Sequence, residues 1–229
     1  MNRYSEIISK NKREIVLLKG RPCAYGKCSF CDYIEDNSKD SELNHIINKK
    51  ILSNVTGKYG VLEVINSGNV FELPKDTIKQ IKSIIVEKNI KTLFFEAHWV
   101  YRQKIQEMKD YFGINVVVKT GLESFDKEFR EDVLIKGFEH KDIDELKLYF
   151  DSVCLMVGIK GQSREMIRRD IELAMKYFDH FTVNVFINNT TSIKDDHDLI
   201  DWFQSEYIWL NDEYKCDVLW SNTDFGVGE

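Results

Sequence analysis

The chain has 229 residues, 43% of them apolar and 31% charged, with a net charge of −6. That length and apolar content support one large domain or two small ones with a core. The acidic balance argues against a large nucleic-acid interface, and no apolar run reaches the length of a membrane span.

The N-terminal stretch MNRYSEIISKNKRE lacks the apolar segment of a signal peptide. The expected location is the cytoplasm, where cysteines stay reduced and a cluster of them points to metal or catalysis. The first strand is expected at 14–19 (EIVLLK). Behind it, RPCAYGKCSFCDY at 21–33 gathers Cys23, Cys28 and Cys31. Three thiols cannot all pair as disulfides. Two readings stay open on ligand chemistry alone. Three thiolates can hold a [4Fe–4S] cluster with one iron left for an outside ligand. With His45 they can instead form a three-cysteine, one-histidine zinc site, the staple of a non-catalytic binding module.

The second strand, 61–66 (VLEVIN), runs into the turn Ser67-Gly68-Asn69. A helix follows in PKDTIKQIKSIIVEKN, with Ile78, Ile81, Ile84 and Ile85 at helical spacing behind a proline. The third strand, 91–97 (KTLFFEA), sets Glu96 and His98 on one face at its C-terminal end. The fourth, 114–120, leads into KTGLESFD, which carries Lys119 and Glu123. The fifth, 152–159 (SVCLMVGI), ends in a turn bracketed by Gly158 and Gly161, before a helix over 163–178 with Ser163 as its cap. The sixth, 180–188 (HFTVNVFIN), places Phe186 and Asn188 on the face of Thr182 and Asn184. A helix over 195–210 and a candidate further strand at 214–220 complete the chain. Cys154 reads as a small apolar strand residue and Cys216 as isolated. His140, His180 and His197 read as surface or loop residues.

This alternation predicts an α/β fold with parallel strands. Polar residues at strand ends suit a barrel mouth. With about six units the expectation is a partial (β/α)6 barrel of the TIM type, a single domain over 1–229, with a core at about 14–210 and a tail, 211–229, closing the mouth.

C-AYGK-C-SF-C, with Phe30 ahead of the last cysteine, then SGN, KTGLES and GIKGQS after strands two, four and five, resemble in this order the radical S-adenosylmethionine (SAM) enzymes. The resemblance covers roughly residues 14–190. It departs from the family's CxxxCxxC spacing by one residue, and its SGN turn lacks the usual glutamate. The resemblance implies a [4Fe–4S] cluster on Cys23, Cys28 and Cys31. It implies SAM contacts from Ser67, Gly68, Asn69, Lys119, Glu123 and Ile159, and aromatic walls from Phe30, Phe186, Tyr33 and Trp99. Glu96 and His98 are the expected catalytic and substrate residues. Tyr33, Asn188, Asn222 and Asp224, with Asn189, are the further substrate candidates. Size and the CxxxxCxxC variant resemble the queuosine-salvage branch. That implies a small nucleoside-type substrate releasing a 7-deazaguanine base, and an electron donor such as flavodoxin or ferredoxin. A 7-deazapurine synthase is the alternative within the class.

Overall fold

A computed structural model describes residues 1–32 and 36–228. The chain divides into two compact units: Met1–Gly26, Tyr33–Val118 and Phe225–Glu229 form one, Lys27–Asp32 and Lys119–Asp224 the other. In the first, β1 (Tyr4–Ile7) runs antiparallel to β2 (Arg13–Leu18), and β3 (Val61–Asn66) and β4 (Thr92–Glu96) continue in parallel. Its helices are α1 (Ser41–Leu52), α2 (Lys75–Glu87) and α3 (Ile105–Phe112). β5 (Asn115–Glu123) is divided between the units after Val118. In the second unit β5, β6 (Ser152–Val157), β7 (His180–Val185) and β8 (Cys216–Leu219) are mutually parallel, with α4 (Ile143–Lys147), α5 (Arg164–Tyr177) and α6 (His197–Tyr207). Strand order follows chain order from β1 to β8. This is the parallel α/β class expected from the sequence, with the incomplete set of units of a partial barrel.

The elements form for local reasons. On α5, Ser163 accepts from the Met166 amide at 3.1 Å, and Ile167, Ile171 and Ala174 form the buried stripe. α1 is different, because Asn44 and Asn48 are fully buried on its inner face. Asn48 accepts from the Lys19 amide at 2.7 Å and donates to the Lys19 carbonyl at 2.8 Å. Asn44 donates to the Gly20 carbonyl at 2.9 Å. Two side chains one helical turn apart thus fix the chain as it leaves β2 toward the cysteines.

His180 is not the surface residue expected. It opens β7, with Nδ1 3.2 Å from the Ser152 hydroxyl and Nε2 3.0 Å from Asp217. The chain of bonds ties the starts of three strands, through the first residue of β6, the first of β7 and the second of β8. His197 is exposed, as expected.

Candidate active site

In the first unit the cysteine loop is held by a residue the sequence reading passed over. Glu72 is buried, three residues past the SGN turn. One carboxylate oxygen accepts from the Ala24 amide at 3.0 Å and the other from the Asn69 amide at 2.7 Å. Its backbone carbonyl accepts from the Arg21 amide at 2.9 Å. Tyr101 stacks on Phe71 at 4.8 Å, and its hydroxyl is pushed up to about 12 by burial first, then by Glu72, and further by Cys23. A Cβ on Gly68 would come within 2.8 Å of the Glu72 carboxylate and 3.6 Å of the Cys23 Cα, so only glycine allows that approach.

Asn69 caps the 3-10 turn Val70–Glu72, and its side-chain nitrogen is buried without a partner among the described residues. Ser67 spends its hydroxyl on the Asp36 carbonyl at 2.9 Å. Along β4, Phe94, Glu96 and His98 are half-buried while Leu93, Phe95, Ala97 and Trp99 are buried, the alternation expected of a strand. His98 caps the following turn through Nδ1, 3.3 Å from the Val100 amide. Its ring stacks on Tyr25 of the cysteine loop, with centroids 4.4 Å apart. Trp99 faces inward, with the Arg102 guanidinium 4.6 Å from its ring centre.

In the second unit Phe30, Ile159 and Phe186 meet in one buried apolar cluster with Phe129 and Leu134, and Cys28 and Cys31 pack against it. Phe30 thus forms, with two residues more than a hundred positions further along the chain, a dry wall beside two of the thiols. The same loop is tied down on both sides. Ser29 donates to the Val133 carbonyl at 2.6 Å and the Leu134 carbonyl at 3.1 Å. Asn189 donates to the Phe30 carbonyl at 2.7 Å, and Asp32 accepts from the Thr190 amide at 3.1 Å. Gly158 has φ 86°, and a side chain there would overlap Ile200.

Lys119 and Glu123 are both buried, on a β5 that bulges between Gly121 and Glu123. Glu123 takes a left-handed φ of 67°. One of its oxygens lies 3.1 Å from Lys136, while the other is buried without a partner among the described residues. Asn188 and Asp195 bond to each other at 2.8 and 3.0 Å in an exposed loop. Asn222 and Asp224 occupy an exposed turn, in which Asp224 accepts from the Ser221 amide at 2.9 Å. Tyr33 lies outside the described residues.

None of the five cysteines is joined in a disulfide among the described residues. Among the described residues no three His, Cys, Asp or Glu side chains are drawn together as a preformed metal site. His45, the fourth ligand of the zinc alternative, is 3.2 Å from the Thr77 hydroxyl through Nδ1. In the second unit the unpartnered Glu123 oxygen is a buried acceptor of the kind a ribose hydroxyl requires, and in the first unit the unpartnered Asn69 nitrogen is a buried donor of the kind a carboxylate requires. Three thiols, two of them against an apolar wall, are the donors that a site-open iron–sulfur cluster requires. The residues fit both groups.

Comparison with known proteins gives the same class. The solved structure of queuine lyase from Clostridium spiroforme bound to SAM and queuine is 56% identical, covers 100% of both chains and has a TM-score of 0.99. An uncharacterized protein of Methanocaldococcus jannaschii, MJ0550, is 26% identical over 152 residues, which are 59% of this chain and only 42% of that relative's length. No protein-family model matches. Fold and site define a radical SAM enzyme. The chain belongs, within that class, to the queuine lyase family. No helix among the described residues is long and apolar enough to cross a membrane.

Proposed function

We propose that this chain binds SAM and a [4Fe–4S] cluster and releases queuine from queuosine or its 5′-phosphate. The observation that carries the reading is the meeting of Phe30, Ile159 and Phe186 with Cys28 and Cys31. Apolar walls beside thiolate ligands exclude water from a reactive centre. Cys23, Cys28 and Cys31 hold the cluster. Gly68 and Asn69 receive the amino group of SAM through backbone carbonyls, Lys119 binds its carboxylate, and Glu123 its ribose. Ser67 contributes through its backbone, since its hydroxyl is engaged with Asp36. Bound there, the two groups would supply radical chemistry that begins with removal of a hydrogen atom from the substrate.

Glu96 and His98 orient that substrate. A carboxylate accepts the N–H donors of a 7-deazaguanine edge, and the ring of His98 is already fixed against Tyr25. Tyr33, Asn188, Asn222 and Asp224 are outer contacts, of which Asn188 and Asp224 must first give up local bonds. The cluster is reduced by a small electron-transfer protein such as flavodoxin or ferredoxin.

The test is anaerobic reconstitution followed by product analysis. About four irons per chain, SAM cleavage and queuine identified by mass are expected. Cys23→Ala, Cys28→Ala and Cys31→Ala should each abolish cleavage, whereas Cys154→Ala and Cys216→Ala should retain it. A single zinc in place of iron would establish the binding-module alternative.

A further inference from the structure

Neither motif nor resemblance pointed to Lys136, yet the second unit is built around it. It is only 6% exposed. Its ammonium lies 3.1 Å from Glu123, 5.3 Å from the ring centre of Phe30 and 5.7 Å from that of Phe138. Phe30 belongs to the apolar cluster against which Cys28 and Cys31 pack, so the buried cation lies over the same wall as two thiols. Burial alone would drive the ammonium's pKa down. The ion pair with Glu123 opposes that and holds the charge in place.

The backbone that delivers Lys136 is unusual in three ways. Phe129–Val133 forms a π-helix, a form concentrated at functional sites. Ile135 has φ 53°, a conformation that a β-branched residue rarely adopts. The segment is then cross-braced. Buried Arg130 pairs with Glu131 at 2.7 Å and donates to the Ser124 carbonyl at 3.0 Å, while Glu131 accepts from the Gly137 amide at 2.7 Å. Ser29 of the cysteine loop docks on the Val133 and Leu134 carbonyls. One segment therefore holds the cysteine loop, Lys136 and, through Lys136, Glu123. Glu123 is itself strained, at φ 67° over Gly121, where any Cβ would come within 2.6 Å of its carboxylate.

We propose that Lys136 is a positioning residue of the SAM site: its ammonium anchors one oxygen of Glu123 so that the other is presented to the ribose, and its charge offsets the thiolates of Cys28 and Cys31. This rests on the function proposed above. A cation within a few ångströms of a cluster favours the more negatively charged, reduced state and raises the potential.

The test uses Lys136→Met, which keeps the apolar stem over Phe30, with Lys136→Gln and Lys136→Arg, in the reconstituted protein. SAM affinity is measured in the oxidised, idle state, and the cluster potential by redox titration with spectroscopic detection. Lys136→Met and Lys136→Gln should bind SAM about tenfold or more weakly, as loss of a charge-assisted bond implies, and show a more negative potential. Lys136→Arg should recover both. Glu123→Gln combined with Lys136→Met should bind SAM no worse than the weaker single variant. Should Lys136→Met fail to hold iron, the glutamine and arginine variants decide, because both keep a polar group and differ in charge. Equal affinity and equal potential in those two overturn the proposal. A wild-type protein that takes up iron–sulfur but binds no SAM overturns the underlying reading, and this inference with it.

Discussion

At the scale of single residues, the cysteine loop of the first unit depends on a carboxylate that accepts from backbone amides. The residue is Glu72. Its two oxygens satisfy the amides of Ala24 and Asn69, one on the cysteine loop and one on the turn after β3. Removing this acceptor leaves the buried Asn69 amide as a donor that water cannot reach, and frees the more exposed Ala24 amide. Glu72→Ala should therefore cost on the order of 1–3 kcal/mol, while Glu72→Gln, which keeps one acceptor, should cost less. Urea denaturation checks the ordering. Iron content after reconstitution should fall in the alanine variant, because the segment carrying Cys23 is no longer fixed. Full iron and an unchanged midpoint in Glu72→Ala would mean that the loop is held elsewhere. His98 acts similarly through shape, capping a turn while its ring is stacked on Tyr25.

Among the elements, legibility in the sequence tracked how far each obeys a simple period. Apolar β-branched runs located six strands, and YKCDVLW supplied β8, because parallel strands buried on both faces read as apolar. β1 was passed over: YSEI is four half-buried residues at the antiparallel edge, without an apolar signature. α1 was passed over for a different reason. Its inner face is Asn44, Asn48, Ile51 and Leu52, while Leu43 and Ile46 are exposed, so apolar periodicity points the wrong way. The cysteines, Glu123, and the Phe30, Ile159 and Phe186 wall were readable because each belongs to a local motif. Lys136 was not, although a lone lysine within VLIKGF is the signal that was there to find. A π-helix has no sequence period of its own, and the strain after it is visible only in the backbone. That strain makes a prediction. Ile135 is 44% exposed, so glycine there forfeits little burial while relieving a left-handed φ. Ile135→Gly should leave the melting temperature unchanged or raised. Val133→Gly, inside the π-helix, should lose about 1 kcal/mol. Equal losses in both variants would show that Ile135 is not strained.

For the molecule as a whole, the acidic chain places one carboxyl where its charge is disfavoured, and this gives stability an unusual dependence on pH. Asp170, on α5, is only 2% exposed. It accepts from the Phe125 amide at 2.7 Å, next to Glu123 and Ser124, so it joins α5 to the loop that leaves β5. Burial lifts its carboxyl to about 7, against the bonds from Ser124 and Phe125, with nearby Asp126 adding to the rise and Arg169 opposing it. The folded value is raised above the unfolded one. The stabilisation is therefore fully present below pH about 4 and is lost as pH rises through about 7. Other carboxylates that are better paired when folded give the opposite slope, so the whole-protein curve alone does not isolate Asp170. Asp170→Asn does, because the amide oxygen still accepts from Phe125 and carries no charge at any pH. The stability of the wild type relative to Asp170→Asn should fall by a few kcal/mol between about pH 4 and pH 8. Denaturant midpoints for both proteins across that range measure the difference. A flat difference would mean that Asp170 is charged throughout and that the loop carrying Glu123 is held by an ordinary carboxylate.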